Sequence, residues 1–89
     1  DVVYGIDVDN LESVVVQELM RRDLCLSTAE SCTGGLATSM ITDIPGSSEY
    51  LLGSVVTYSN MAKQKLVNVS AENLEKYGAV SEQVACEMV

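Results

Sequence analysis

One stretch decides how this 89-residue chain folds, Thr28-Ala29-Glu30-Ser31-Cys32-Thr33-Gly34-Gly35. It continues an apolar run that begins at Leu24 and precedes a run of small and apolar residues that begins at Leu36. The pattern predicts a buried strand that turns sharply into a helix, with two glycines in the turn. Because hydroxyls, a thiol and a carboxylate lie in that turn, we also expect chemistry there.

The composition is that of an ordinary globular protein, with 47% hydrophobic and 20% charged residues. Trp and Phe are absent, so we expect an aliphatic core. Thirteen acidic and five basic residues give a net charge of −8, and a surface of that sign repels phosphate backbones. No apolar run approaches the roughly 20 residues of a membrane span. We therefore expect a soluble, cytoplasmic protein whose partners include neither nucleic acid nor membrane.

Cysteine and histidine usage restricts the possible chemistry. The three cysteines, Cys25, Cys32 and Cys86, show no C-x-x-C spacing, and the chain has no His. These features argue against a disulfide framework and a zinc site, and we expect reduced, buried thiols. The absence of His also excludes, within this chain, every Ser-His and Cys-His catalytic arrangement.

Periodicity and capping residues predict seven elements. We expect helices over residues 10–22, 35–42, 61–66, 71–77 and 82–89, and strands over residues 24–29 and 50–58. Asp9 would cap the first helix, with Glu12 completing a capping box. Serines at positions 59, 70 and 81 would cap the last three helices.

That order predicts an α/β fold with the strands between helices. Two strands alone form only a marginal sheet. We therefore expect the chain to be part of a larger domain. Residues 1–9 would be a linker from an upstream region, and residues 10–89 the N-terminal part of the domain.

Ser31 is the first candidate nucleophile, since it follows a predicted strand at the edge where open α/β sheets bind ligands. Main-chain N–H groups at the start of the next helix would stabilise an oxyanion there. The alternative is structural, with Ser31 or Thr33 as a helix cap and the glycines as a tight turn. Cys32 is the rival nucleophile, because a helix start activates a thiol, although a small buried cysteine is the interpretation we favour.

Without His, a serine nucleophile needs Lys, Tyr, Asp or Glu as its base. Lys63 follows the second predicted strand and would reach the same sheet edge as Ser31 if the strands are parallel. A desolvated lysine can act as a base, and Tyr58 would relay a proton or orient it. Glu30 would orient the nucleophile or bind a hydroxyl. Each residue also has an ordinary structural interpretation: Lys63 as a solvated lysine, Tyr58 as a strand aromatic and Glu30 as a carboxylate beside a helix start.

Four ordered blocks resemble the C-terminal domain of the CinA competence/damage-inducible family, over nearly the whole chain from Asn10 onward. The blocks are residues 28–35, Pro45-Gly46-Ser47-Ser48, Gly53-Ser54-Val55-Val56-Thr57-Tyr58-Ser59-Asn60 followed by Lys63, and Gly78-Ala79-Val80-Ser81. Met61 departs from the pattern, since relatives often carry Glu there. The resemblance implies a three-layer α/β/α fold with a mixed, mostly parallel sheet, incomplete in this chain.

The resemblance also implies an activity, hydrolysis of the carboxamide of nicotinamide mononucleotide to nicotinate mononucleotide and ammonia in pyridine-nucleotide salvage. It places the nucleophile on Ser31, the base on Lys63 and an assisting hydroxyl on Tyr58, and it implies no metal or organic cofactor. The expected substrate contacts are Glu30, Thr33, Gly34, Gly35, Ser48 and Asn60. The expected partners are this small-molecule nucleotide and further copies of the chain in a homo-oligomer. Two alternatives remain, a non-catalytic nucleotide-binding or assembly module and an amidase that uses the Cys32 thiol.

Overall fold

A computed structural model describes residues 10–89, so the predicted linker over residues 1–9 lies outside the described residues. The order of elements confirms the mixed α/β fold class. The elements are α1 (Leu11–Arg21), β1 (Leu26–Glu30), α2 (Leu36–Thr42), a 3-10 helix (Ser47–Glu49), β2 (Leu51–Val56), α3 (Asn60–Val67), α4 (Ala71–Tyr77) and α5 (Glu82–Met88). Within this range every helix is too short or too polar to cross a bilayer.

The two strands form a parallel pair. At their start the Leu26 N–H donates to the Tyr50 carbonyl over 2.7 Å, and just past their end the Thr57 N–H donates to the Glu30 carbonyl over 2.7 Å. Since residue numbers rise in the same direction on both strands, their carboxyl ends meet at one edge. β2 ends at Val56, two residues earlier than predicted. Thr57 and Tyr58 therefore follow the strand.

The described chain forms two compact units, which take up different parts of the sequence. The first comprises residues up to Ser27 together with Leu36–Gly53, and the second comprises Thr28–Gly35 together with Ser54–Val89. The turn that follows β1, the end of β2 and the last three helices thus belong to the second unit.

The first unit begins with α1, whose N-cap corrects one prediction. The cap is Asn10 rather than Asp9, since Asn10 has an extended backbone and its Oδ1 accepts the Ser13 N–H over 2.8 Å. An N-cap side chain reaches the N–H three positions on, so the cap lies one residue later than the sequence pattern suggested. The side chain of Asp9 lies outside the described residues.

The core of the first unit contains an aromatic residue. Tyr50 is buried with Val16 and Ile41, and partly buried side chains pack around these three: Leu19, Leu26, Ile44 and Leu51. The prediction of a wholly aliphatic core is therefore wrong. Tyr50 follows the 3-10 helix and precedes β2, and its main-chain carbonyl accepts the first sheet hydrogen bond.

The second unit confirms the three predicted serine caps. Ser59 accepts from the Ala62 N–H over 3.0 Å, and Ser70 and Ser81 make the equivalent bonds three residues ahead. Asn68 ends α3 in the left-handed conformation, with φ 58°, and its N–H donates to the Lys63 carbonyl. The caps satisfy N–H groups that a helix cannot pair internally, so they set where each short helix starts.

The last two helices, α4 and α5, pack around a small core, and hydrogen bonds to one carboxylate of α5 link them. Val69, Leu74 and Val84 form the buried cluster. Glu87 accepts three hydrogen bonds, from Asn73 Nδ2 at 2.7 Å, Ser70 Oγ at 3.1 Å and the Ser70 N–H at 3.3 Å. These donors, the Asn73 amide foremost, hold the pKa of Glu87 below its ordinary value.

Candidate active site

The second unit brings together the serine and the lysine that the sequence singled out. Lys63 Nζ lies 2.9 Å from Ser31 Oγ, within hydrogen-bonding distance. Ser31 is half-buried in the turn after β1, and Lys63, in α3, is only 2% exposed. The interpretation of Lys63 as a solvated helix-surface residue is therefore wrong. Parallel strands that end at one edge explain the meeting, since each residue follows one of them.

Two main-chain carbonyls orient the Lys63 amine. Nζ donates to the Thr57 carbonyl over 2.8 Å and to the Tyr58 carbonyl over 3.1 Å. A carbonyl oxygen only accepts, so these two contacts use two N–H groups of the amine in either charge state. The remaining position faces Ser31 Oγ. It holds an N–H in the ammonium form and a lone pair in the neutral form.

A hydroxyl both donates and accepts, so Ser31 Oγ matches either form of Lys63. With the ammonium, Ser31 accepts a hydrogen bond; with the neutral amine, its O–H donates one. A proton can then pass between the two side chains without moving either heavy atom. The pair has the geometry of a nucleophile beside its general base.

Thr57 is a buried polar residue that the sequence analysis did not identify. It has no solvent exposure, and its N–H donates to the Glu30 carbonyl over 2.7 Å. Its Oγ1 donates to the same oxygen over 3.4 Å. A threonine at the end of a β-branched run is typical of strands. The side-chain pattern alone therefore did not indicate a buried threonine hydrogen-bonded to the Glu30 carbonyl.

The side chains of Glu30 and Thr33 are hydrogen-bonded to each other across the turn. The Thr33 hydroxyl donates to Glu30 Oε1 over 2.7 Å, and Glu30 is buried. In this structure the Glu30 carboxylate thus holds the turn that carries Ser31. Its binding of a substrate hydroxyl, and the contact of Thr33 with substrate, stay predictions.

The two glycines of the turn adopt backbone conformations that favour glycine. Gly34 has φ 63° and Gly35 has φ 101°. The Gly34 N–H donates to the Ser31 carbonyl over 3.0 Å, which closes a tight turn. α2 starts only at Leu36, so the alternative in which Ser31 or Thr33 caps it is wrong. Close approach of substrate to these glycines stays a prediction.

Tyr58 contributes to the described site through its main chain. Its carbonyl accepts a hydrogen bond from Lys63 Nζ. The residue as a whole is 71% exposed. Among residues 10–89 its hydroxyl makes no hydrogen bond. The assisting role of that hydroxyl is therefore a prediction, independent of the carbonyl contact.

The cysteines correct another expectation, because Cys25, Cys32 and Cys86 are all free and exposed. The favoured interpretation of small buried thiols is wrong, since these residues lie outside both buried clusters. No group of three His, Cys, Asp or Glu side chains suited to a metal ion occurs in the part of the chain that the structure describes.

The last two expected substrate contacts lie on different elements. Asn60 is the first residue of α3 and is exposed, three residues before Lys63. Ser48 lies in the 3-10 helix of the first unit and is also exposed. Both roles stay predictions.

Fold and site together define an α/β protein with a serine and a buried lysine in contact where two parallel strands end. The sequence model of the CinA C-terminal domain family matches residues 8–89, and the chain belongs to that family. A CinA-like protein of Prochlorococcus marinus (strain MIT 9215) is 54% identical over 85 residues, which cover 96% of this chain and 20% of that protein. A putative competence-damage inducible protein of Moorella thermoacetica is 53% identical over 88 residues, 99% of this chain and 21% of that protein.

Solved structures show the same fold. A competence-damaged protein (CinA) superfamily protein from Escherichia coli superposes with a TM-score of 0.87 at 40% identity. The competence/damage inducible protein CihA from Agrobacterium tumefaciens superposes with a TM-score of 0.85 at 39% identity. Each match covers 99% of this chain and 53% of the solved one. The chain thus spans about half of these solved chains and about a fifth of the curated relatives.

Proposed function

We propose that the complete protein that contains this chain deamidates nicotinamide mononucleotide, giving nicotinate mononucleotide and ammonia in pyridine-nucleotide salvage. The contact between Lys63 Nζ and Ser31 Oγ, at 2.9 Å, is the observation that carries the proposal. Membership of the CinA family supports the choice of substrate through the activity that the sequence resemblance implies. Amide hydrolysis by a serine nucleophile needs a base in contact with the hydroxyl, and the neutral Lys63 amine can supply it.

In the first half of the reaction, Ser31 Oγ attacks the carboxamide carbon while Lys63, as the neutral amine, takes the hydroxyl proton. A bond forms between Oγ and carbon, and the carbonyl oxygen gains negative charge. The carbon–nitrogen bond then breaks, and the nitrogen leaves as ammonia with the proton that Lys63 had received. We assign the Tyr58 hydroxyl to assist that transfer. The product is an ester on Ser31.

In the second half, a water molecule attacks the ester and Lys63 takes its proton. The tetrahedral intermediate collapses, the bond between carbon and Ser31 Oγ breaks, and the proton returns to Oγ. One amide and one water thereby give one carboxylic acid and one ammonia. The enzyme ends in its starting state.

Main-chain N–H groups of the turn are the proposed oxyanion donors. Donors fixed in advance stabilise the charge that develops on the carbonyl oxygen. Gly34 already donates to the Ser31 carbonyl. We therefore favour Thr33 and Gly35 for this contact.

Ammonia release from nicotinamide mononucleotide by the complete protein tests the proposal. We expect Ser31→Ala and Lys63→Ala, made separately, each to abolish it. Cys32→Ser is the matched control, since Cys32 adjoins Ser31 but is exposed, and this variant should keep near-normal turnover. Near-normal turnover in Ser31→Ala together with loss in Cys32→Ser would identify a thiol amidase instead. Binding of the nucleotide without ammonia release by the unmodified protein would indicate a non-catalytic binding module.

A further inference from the structure

We propose that Thr57 is the positioning residue of the serine and lysine pair, holding the main chain next to Ser31 and the amine of Lys63 at the same time. The inference rests on the proposed function, in which those two side chains react. In that account Thr57 contacts no substrate atom, and its main-chain carbonyl accepts a hydrogen bond from the Lys63 amine. It acts through the two groups that it holds.

The contact on the Ser31 side is made to the preceding peptide. The Thr57 N–H and Oγ1 both donate to the Glu30 carbonyl, at 2.7 and 3.4 Å. A peptide unit is planar, so the Glu30 carbonyl and the Ser31 nitrogen and Cα lie in one plane. Two donors on that oxygen thus restrain the plane from which the Ser31 side chain starts.

The contact on the Lys63 side uses the carbonyl of the same residue. Lys63 Nζ donates to it over 2.8 Å, a shorter contact than the 3.1 Å to the Tyr58 carbonyl. A shift of Thr57 would move both ends of the pair, since its donors hold one end and its acceptor the other. Catalysis is sensitive to such shifts, because a misplacement of about 1 Å between reacting groups can cost roughly 100-fold in rate.

Threonine suits this position because its hydroxyl is buried and still has an acceptor. Thr57 has no solvent exposure, so its Oγ1 depends on the Glu30 carbonyl. The β-branched side chain is also restricted in χ1, which presents the hydroxyl in few orientations. Valine has nearly the same shape without the donor, and serine keeps the donor without the methyl group. These two variants separate the hydrogen bond from the packing.

Steady-state kinetics of the complete protein on nicotinamide mononucleotide test the proposal. We expect Thr57→Val to lower kcat by about tenfold, with KM changed by less than about twofold, since tenfold corresponds to about 1.4 kcal/mol, which lies within the usual net contribution of one hydrogen bond. Thr57→Ser should remain within about threefold of the unmodified kcat. Three results would overturn the proposal: an unchanged kcat in Thr57→Val, an effect confined to KM, or an equal loss in both variants.

A second readout separates this inference from the identity of the substrate. Phenylmethylsulfonyl fluoride sulfonylates an activated serine: an oxygen–sulfur bond forms, fluoride leaves, and the hydroxyl proton passes to the base. Peptide mass spectrometry gives the labelling rate at Ser31, which Thr57→Val should lower by about tenfold. Labelling of Ser31 in a protein that releases no ammonia from nicotinamide mononucleotide would refute the proposed function. The labelling rate in Thr57→Val would still test the positioning role of Thr57. If Thr57→Val does not fold, Thr57→Cys takes its place, because a thiol is a weak donor; labelling as fast as in Thr57→Ser would contradict the inference.

Discussion

Lys63 Nζ and Ser31 Oγ lie 2.9 Å apart although 32 positions separate the two residues in the chain. Their meeting follows from the parallel pairing of β1 and β2, because Ser31 directly follows the first strand and Lys63 lies in the helix that follows the second. Both belong to the second compact unit. A lysine that is 2% exposed and that, among residues 10–89, is hydrogen-bonded only to oxygens of neutral groups is uncommon. The proposed role of Lys63 as a general base gives this arrangement a reason.

Substitution of Lys63 by arginine should separate its charge from its capacity to accept a proton. Arginine stays protonated in proteins, so Lys63→Arg keeps a cation but has no lone pair for the Ser31 proton. We expect both Lys63→Arg and Lys63→Met to lower the kcat for ammonia release by about 10²- to 10⁴-fold, the usual contribution of a general base. Circular dichroism of each variant controls for folding. Activity in folded Lys63→Arg close to that of the unmodified protein would show that the positive charge, rather than proton transfer, is what the site requires.

Tyr58→Phe isolates the hydroxyl of Tyr58 from its carbonyl. The carbonyl contact to Lys63 is made by the main chain and survives the substitution. If the hydroxyl assists proton transfer, kcat should fall by about tenfold or more while the stability of the protein, with this residue 71% exposed, changes little. Steady-state kinetics and thermal unfolding measure the two effects. An unchanged kcat would confine the role of Tyr58 to its carbonyl.

Glu87 should make the stability of the second unit sensitive to acid. Hydrogen bonds from Asn73 and Ser70 lower its folded-state pKa, so its contribution is present above the ordinary glutamate pKa, about 4.3, and is lost as the pH falls through the lowered value. We expect Glu87→Gln to be less stable than the unmodified protein at pH 7, with the difference shrinking toward pH 3. Thermal unfolding at both pH values measures it.

Glu75→Gln is the control for Glu87→Gln, since Glu75 is an exposed glutamate of α4. It should change stability little at either pH. A difference between Glu87→Gln and the unmodified protein that is the same at pH 7 and pH 3 would contradict the role of the Glu87 charge.

Asn68 ends the helix that carries Lys63, and its left-handed backbone predicts opposite effects for two small substitutions. Asn68 has φ 58° and ψ 32°, a left-handed conformation that Asn tolerates better than other residues with a Cβ, so Asn68→Ala should cost about 1 kcal/mol. Asn68→Gly should be neutral or slightly stabilising, since glycine adopts this conformation without strain. The midpoint of chemical denaturation distinguishes them. Equal midpoints for the two variants would contradict the assigned backbone strain.

Much of the site was predictable because its chemistry depends on side-chain type and chain position. The absence of His left few bases for Ser31, and parallel strands place residues that follow them at one edge, which led to Lys63. Helix starts were similarly predictable from Ser59, Ser70 and Ser81, since a cap is a local interaction. These inferences use contacts within three residues or one rule of sheet geometry.

The remainder depends on main-chain geometry and packing that side-chain patterns do not encode. The carbonyls that orient Lys63 belong to Thr57 and Tyr58, and every residue has a carbonyl, so nothing in the sequence marked these two. The burial of Tyr50 depends on which residues pack around it, and composition alone suggested an aliphatic core. The exposure of Cys32 likewise depends on the turn that carries it.

The most direct test of the central proposal, attack by Ser31 with Lys63 as its base, is to trap the covalent intermediate. The complete protein would be mixed with nicotinamide mononucleotide, quenched in acid within milliseconds to seconds, digested and analysed by peptide mass spectrometry. We predict an acyl group of nicotinate mononucleotide on the peptide that contains Ser31, localised by fragmentation to that residue, and none in Lys63→Met. An acyl group on Cys32 instead, or ammonia release that persists in Ser31→Ala, would contradict it.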